Sequence, residues 1–319
     1  MFIRPMFRIV KDDTRIKFMR GRHLGLIVSA VLSLASVALF FYPGLHLGID
    51  FSGGIVMEIR TPAPADFGKI RASLATQGIR EPHVQRFGEE TNVLIRLGTQ
   101  PTEAATQVIV AKVRTAFEEA QPGSRVVRTD AVGASVSAEL FRDGMLALGV
   151  SLLMILVYIW FRFEWQFAVG AVATLILDVT KAIGFLAITR IEFDLVMVAA
   201  ILTVLGYSTN DKVVVYDRVR ENLRKYKTMP LRELIDLSIN ETLNRTLGTS
   251  MTVFLASLPL AIFGAQSISG FATIMLFGIV VGTSSSIFIA APILLFLGEQ
   301  RLRRDAAAPV TKDSPAMEP

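Results

Sequence analysis

Cysteine is absent from this 319-residue chain, which removes disulfides, thiol nucleophiles and soft-metal thiolate sites together. Histidine is nearly absent: His23, His46 and His83 are scattered without ligand spacing, so no metal centre is expected. No nucleophile–base pair stands out, and neither an enzymatic reaction nor a cofactor is expected. Charge is scarce as well, at 19% of residues, whereas apolar residues reach 52% and the mean hydropathy is +0.50. That balance lies off the pattern of soluble domains and points to a membrane protein. The net charge of +5 does not imply nucleic acid, because the basic residues cluster beside the long apolar runs.

Six runs are long enough to cross a hydrocarbon core of about 30 Å. They cover residues 24–42, 144–161, 167–189, 195–216, 248–264 and 270–297. The first follows a basic arm (1–23) and reads as a retained signal-anchor helix in a transmembrane segment 24–43. Lys and Arg recur in that arm, in the loop 217–247 and in Arg301, Arg303 and Arg304 of the tail, whereas the short opposite loops hold Arg190 alone. The positive-inside rule then puts both termini in the cytoplasm of a bacterium, with the chain multi-pass in its inner membrane. The tail 299–319 has no pattern able to pack and is expected to be disordered.

Between the first two spans, residues 44–140 form the one soluble segment, expected to be extracytoplasmic. It reads β-α-β-β-α-β: strands at 55–59, 84–87, 93–97 and 125–130, helices at 64–77 and 102–120, and a hairpin turn at 88–92. That order suggests a small ferredoxin-like α+β domain. The expected fold is thus a polytopic α-helical membrane protein, with six transmembrane helices and this domain between helices 1 and 2. Residues 141–298 hold helices 2–6.

Charges inside the apolar runs are the main functional signal. Asp178 and Lys181 interrupt the third span, and Asn210, Asp211 and Lys212 the fourth. An ionisable group at bilayer depth costs about 2.5–3.5 kcal/mol on insertion scales, so such groups pair with one another or line an ion path. Asp178 and Lys181, spaced i,i+3, share a helix face, whereas the adjacent Asp211 and Lys212 diverge by about 100° and cannot address one partner. The alternative for each lysine is snorkelling to an interface. Asp178 is too short and too deep for that. In the last span Gly278, Gly282 and residues 284–286 read as close-packing surface.

Two strings are more specific. Gly48-Ile-Asp50-Phe51-Ser-Gly53-Gly54 follows the first span; its glycines permit positive φ, and Asp50 can bond to freed amides. Gly206-Tyr-Ser-Thr-Asn210-Asp211-Lys212 leads into Asp217-Arg218-Val-Arg220-Glu221-Asn222, and Glu241-Thr-Leu-Asn-Arg245-Thr precedes the fifth span. In order and topology, these resemble the signatures of the SecD/SecF family of the RND superfamily. The resemblance implies an RND-type half of six spans, completed by the six of SecD. It further implies protein export with SecD beside the SecYEG channel, with YajC as a candidate further partner and an unfolded translocating polypeptide as substrate. The resemblance implies, too, that the proton motive force, or sodium in some members, drives the work. Membrane lipid is the remaining partner.

The family's third span usually carries His-Asp-Val, where this chain has Leu177-Asp178-Val179. Lys181 and Lys212 stand where aliphatic or hydroxyl residues are usual. The coupling ion is therefore open between proton, sodium and none. The charge run Asp217, Arg218, Arg220 and Glu221, with 231–244 behind it, reads as a surface helix pair, either solvated or in contact with a partner. Two other functions stay in view: an RND-like small-molecule efflux component, and a structural assembly factor that has lost ion coupling.

Overall fold

The computed structural model describes residues 15–79 and 82–297. The basic arm before residue 15 and the tail lie outside the described residues. Two compact units form. A helical unit takes the chain up to Leu45, then Leu148–Ile191 and the residues from Val196 onward; an α+β unit holds His46–Ala147 and Glu192–Leu195.

In the α+β unit the order is α2 (Ile49–Ser52), β1 (Gly54–Arg60), α3 (Phe67–Thr76), β2 (His83–Phe87), β3 (Glu89–Leu97), α4 (Glu103–Ala120) and β4 (Arg125–Val132). The strands form one antiparallel sheet in the order β2-β3-β1-β4, the ferredoxin-like arrangement. Alternation sets its faces: Ile55, Met57 and Ile59 of β1 and Val93, Ile95 and Leu97 of β3 turn inward. They pack under Ile70 and Leu74 of α3 and Val113, Ala116 and Phe117 of α4. Asp66 caps α3 by accepting from the Gly68 and Lys69 amides, and Thr102 caps α4 through the Ala105 amide. The hairpin is tighter than the expected 88–92 turn. β3 starts at Glu89, and Gly88 at φ +69° supplies the reversal that pairs Phe87 with Glu89.

In the helical unit, α1 (Arg22–Phe41) follows a 3-10 turn at Phe18–Gly21. Then come α5 (Ala134–Arg162), α6 (Trp165–Thr189), α7 (Leu195–Lys225), α8 (Leu231–Phe263) and α9 (Gln266–Ser285), a π segment Ser286–Ala290 and α10 (Ala291–Phe296). Among the described residues, six helical stretches are long and apolar enough to cross a membrane, the last running through the π segment. Several helices exceed the expected spans. The first turns of α5, 134–147, belong to the α+β unit. The surface helix pair expected at 217–244 is not separate: its two parts are the continuous ends of α7 and α8, joined around 226–230. Hydropathy ends a span where charge begins, but the backbone hydrogen-bond ladder does not have to stop there.

Small residues set the helix contacts. A Cβ on Gly184 of α6 would collide with Ser36 of α1, one on Gly278 of α9 with Val204 of α7, and one on Gly282 would sit 3.0 Å from the Ser208 Cβ. Backbones approach closely at these crossings, as apolar solvent requires when packing and not hydrophobicity drives association.

Candidate functional site: a buried charge cluster

Three helices bring their polar residues to one carboxylate. Asp178 of α6 accepts on a single oxygen, Oδ2, from Ser208 Oγ at 2.7 Å, Ser285 Oγ at 2.8 Å and Lys212 Nζ at 2.9 Å. Lys212 also donates to the Ser208 carbonyl at 3.3 Å, to the Ser208 hydroxyl, and to Ser285 Oγ at 3.4 Å. The other oxygen, Oδ1, has the Lys181 ammonium at 3.8 Å and no hydrogen bond among the described residues. One carboxylate therefore lies between two ammonium groups, held tightly by one and loosely by the other.

Burial decides between pairing and snorkelling. Asp178 is 2% exposed, Lys181 5%, Lys212 1% and Asp211 4%. Neither lysine reaches a surface of the chain. Helical spacing explains the constellation: Ser208 and Lys212 are i,i+4 on α7, and Gly282 and Ser285 are i,i+3 on α9. The absence of a side chain at Gly282 lets α9 approach Ser208, which carries Ser285 to the carboxylate. The π segment begins one residue later, and its Ala290 carbonyl accepts from the buried Tyr216 hydroxyl at 3.1 Å. Such π turns interrupt helices frequently at functional positions.

Asp211 faces elsewhere, as its offset from Lys212 demands. Its Oδ2 accepts from Thr283 Oγ1 at 3.2 Å and lies 3.5 Å from Ser250 Oγ, and these two hydroxyls are 2.8 Å apart. This second cluster joins α7, α8 and α9. Asn210 enters neither cluster. It is exposed on α7, as is Gly206, beside which a Cβ would meet nothing within 4 Å.

The glycine-rich string has a defined task in the α+β unit. Gly53 and Gly54 hold φ of +69° and +121°, and a Cβ on Gly54 would lie 2.5 Å from the Leu97 carbonyl oxygen. Upstream, the Gly48 amide donates to the Phe193 carbonyl at 2.9 Å, and the Phe193 amide to the His46 carbonyl at 2.7 Å. Asp50 Oδ2 accepts from the amide of Leu195, the first residue of α7, at 3.2 Å. Phe51 packs its ring on Phe141 and Phe193, and Arg96 pairs with Glu192. The string thus holds the α6–α7 connection in the sheet's own unit. The expected domain boundary at 140 had no place for residues 192–195, because they contact the string only in three dimensions.

The run at the end of α7 is engaged within the chain. Arg162 contacts both Asp217 oxygens at 2.8 Å, and Arg218 holds Glu241 at 2.7 Å and Glu221 at 2.6 Å. Arg220 pairs with Glu164 at 2.9 Å, and Asn222 donates to Ser238 and Glu241. Partner contact was one expectation for Asp217, Arg218, Arg220 and Glu221; in the structure these side chains tie α7 to α8 and to the α5–α6 connection.

Two family models match the chain: "Protein export membrane protein SecD/SecF, C-terminal" over residues 112–300, and "SecD/SecF GG Motif" over residues 38–61. The chain belongs to the SecD/SecF family. Among its relatives, protein translocase subunit SecF of Rickettsia akari is 42% identical over 307 residues, covering 94% of this chain and 97% of that protein. The subunit of the same name from Cereibacter sphaeroides is 42% identical over 301 residues, covering 92% and 93%. The crystal structure of SecDF, a translocon-associated membrane protein from Thermus thermophilus, superposes with a TM-score of 0.81 at 30% identity. It covers 92% of this chain, which spans 40% of that longer one. A second SecDF structure, in a super-membrane-facing form, gives 0.69 at 30% identity. This chain is accordingly a multi-pass membrane protein whose work is that of a SecF-type accessory subunit in Sec protein export.

Within that family frame, sequence reasoning singled out Asp178, Lys181, Asp211 and Lys212 but passed over Ser208, Ser250, Thr283 and Ser285. Ser208 lies inside the quoted fourth-span string, one turn before Lys212, and that spacing was a readable signal. Ser285 was assigned to packing surface. In fact it is a hydrogen-bond donor to Asp178.

Proposed function

We propose that this SecF-type subunit couples ion movement past Asp178 to protein export, as one half of an assembly with a SecD-type half beside the SecYEG channel. The observation that carries the reading is a single buried carboxylate shared between Lys212 and Lys181 at the meeting of α6, α7 and α9. Protonating Asp178 would remove the counter-charge of Lys212 and weaken the acceptor for Ser208 and Ser285. Two helices would lose their common anchor on α6 in one step.

The chain's work on this reading is mechanical, with no covalent chemistry of its own. Gly206 and Asn210 continue an exposed stripe of α7 through Val196, Ala199 and Thr203, and this supports docking of the SecD-type half there. The Lys and Arg distribution supports cytoplasmic termini, an outward-facing α+β domain and residence in a bacterial inner membrane. Small-molecule efflux is disfavoured, since relatives matching nearly end to end are named translocase subunits. YajC and the translocating polypeptide remain partners implied by family membership alone.

The test is reconstitution with the SecD-type half in vesicles, measuring gradient-driven completion of export and proton uptake together. Lys181→Met and Lys212→Ser should each shift the pH dependence of export. If both leave export and its pH profile unchanged, the cluster is structural and an assembly role replaces ion coupling.

A further inference from the structure

A basic cleft of about 810 Å³ opens where the chain enters its first helix. One wall is the strap before α1, with Arg15, Lys17 and Arg20; the other is the start of α8, with Arg232. We propose that this cleft binds the phosphoglycerol headgroup of an anionic membrane phospholipid.

The strap is held in place by backbone contacts. Asn240 of α8 accepts from the Ile16 amide at 3.0 Å and donates to the Ile16 carbonyl at 2.9 Å, imitating a strand pair. Asp236 accepts from the Met19 amide at 2.8 Å, and the Met19 side chain is fully buried. The cations are therefore mounted on fixed backbone while their side chains stay exposed.

Charge selects the ligand. Four cations line the cleft against two acids, Glu233 and Asp236; Asp236 accepts from the Met19 amide and feels the charges of Arg232 and Lys17, and the balance still favours positive charge. None of the four has an ion pair among the described residues, in contrast to Arg162, Arg218 and Arg220 at the end of α7. An excess of positive charge around one concavity suits a phosphodiester, which accepts on two oxygens. The rest of the lining separates a lipid from free phosphate. Ile16, Met229 and Leu237 give the cleft an apolar flank that inorganic phosphate would leave wet. Arg20, Leu24, Ile27 and Val31 follow helical spacing, and the last three are 59–69% exposed. A headgroup at Arg20 would thus have an apolar stripe of α1 running on from it for its acyl chains. Basic pockets beside spanning helices are a general form of lipid headgroup site.

The experiment uses the full chain, alone or with the partner half it retains, in neutral detergent. Bound lipid is counted by native mass spectrometry after exchange against phosphatidylglycerol or phosphatidylcholine. Retention should favour phosphatidylglycerol by about tenfold or more, and the triple variant Lys17→Gln, Arg20→Gln, Arg232→Gln should bring the two lipids to parity. Lys112→Gln with Arg114→Gln and Arg125→Gln, an equal charge change in the α+β unit, should leave the preference intact. Leu237→Trp fills the apolar flank and keeps every cation, so it should lower retention even if the triple variant fails to fold. Equal retention of the two lipids by the wild type overturns the proposal. So does undiminished retention by Leu237→Trp, which would reduce the effect to diffuse surface charge. Displacement of phosphatidylglycerol by millimolar inorganic phosphate would make it a phosphate site and not a lipid site.

Discussion

Asp178→Asn separates charge from shape in the buried cluster. The amide oxygen can still accept from Ser208 and Ser285, which lie 2.7 and 2.8 Å from the carboxylate oxygen it replaces. What disappears is the negative charge facing Lys212 at 2.9 Å and Lys181 at 3.8 Å. Lys212 is 1% exposed, so its ammonium cannot recover water. Stranding one member of a buried pair costs about 3–5 kcal/mol, whereas removing both members is often close to neutral. Asp178→Asn should therefore destabilise the chain by about 3–5 kcal/mol, and Asp178→Asn with Lys212→Met should recover most of that. Lys181→Met should change stability by about 1 kcal/mol or less, since its pair is long and Lys212 still neutralises the carboxylate. A double-mutant cycle on positions 178 and 212, read by denaturant unfolding in detergent, should give a coupling of about 3 kcal/mol or more, since it contains both the recovery and the cost of Lys212→Met alone. Export should stay impaired in the recovered double variant, because stability returns without the Asp178 carboxylate. A single Asp178→Asn variant as stable as the wild type, or a double variant no better than the single, would refute the ionised-pair account.

Other outcomes follow from the same geometry. Gly282→Leu should cost about 1–3 kcal/mol by forcing α9 away from Ser208 and Ser285 from Asp178. Gly206→Leu adds the same side chain into open space, so it should leave thermal stability within about 0.5 kcal/mol while weakening co-purification of a SecD-type half. Gly54→Val combines a φ of +121° with a collision at the Leu97 carbonyl, and should lower stability by about 2 kcal/mol or more and impair export assayed in cells. The Asp66 carboxyl is held below its usual value, chiefly by the Lys69 backbone amide, with help from the Lys69 charge and the Gly68 amide. A depressed folded value means its stabilisation is present above the unfolded value and is lost as pH falls through the folded one. The thermal-stability difference between wild type and Asp66→Asn should therefore be constant near neutrality and shrink below about pH 4.

Much of this molecule is local, and what is local was legible. Six apolar runs, the β-α-β-β-α-β order and the positive φ at Gly53 and Gly54 depend on hydropathy, period and steric demand within a few residues. The depth of Asp178 and its i,i+3 relation to Lys181 are also properties of one helix. Tertiary structure decided the rest. Which hydroxyls meet Asp178 depends on the close approach of α9 to α7 at Gly282, and no periodicity within α9 says which helix lies across from it. That Lys181 and Lys212 turn inward and do not snorkel is a matter of burial by neighbouring helices. The charges at the end of α7 read as a free face because their partners, Arg162, Glu164 and Glu241, lie 20 to 60 residues away along the chain. The same holds for Asp50, whose partner amide at Leu195 is 145 residues distant. Sequence determines what each segment must bury or cap; the folded chain determines which distant group does the burying and capping.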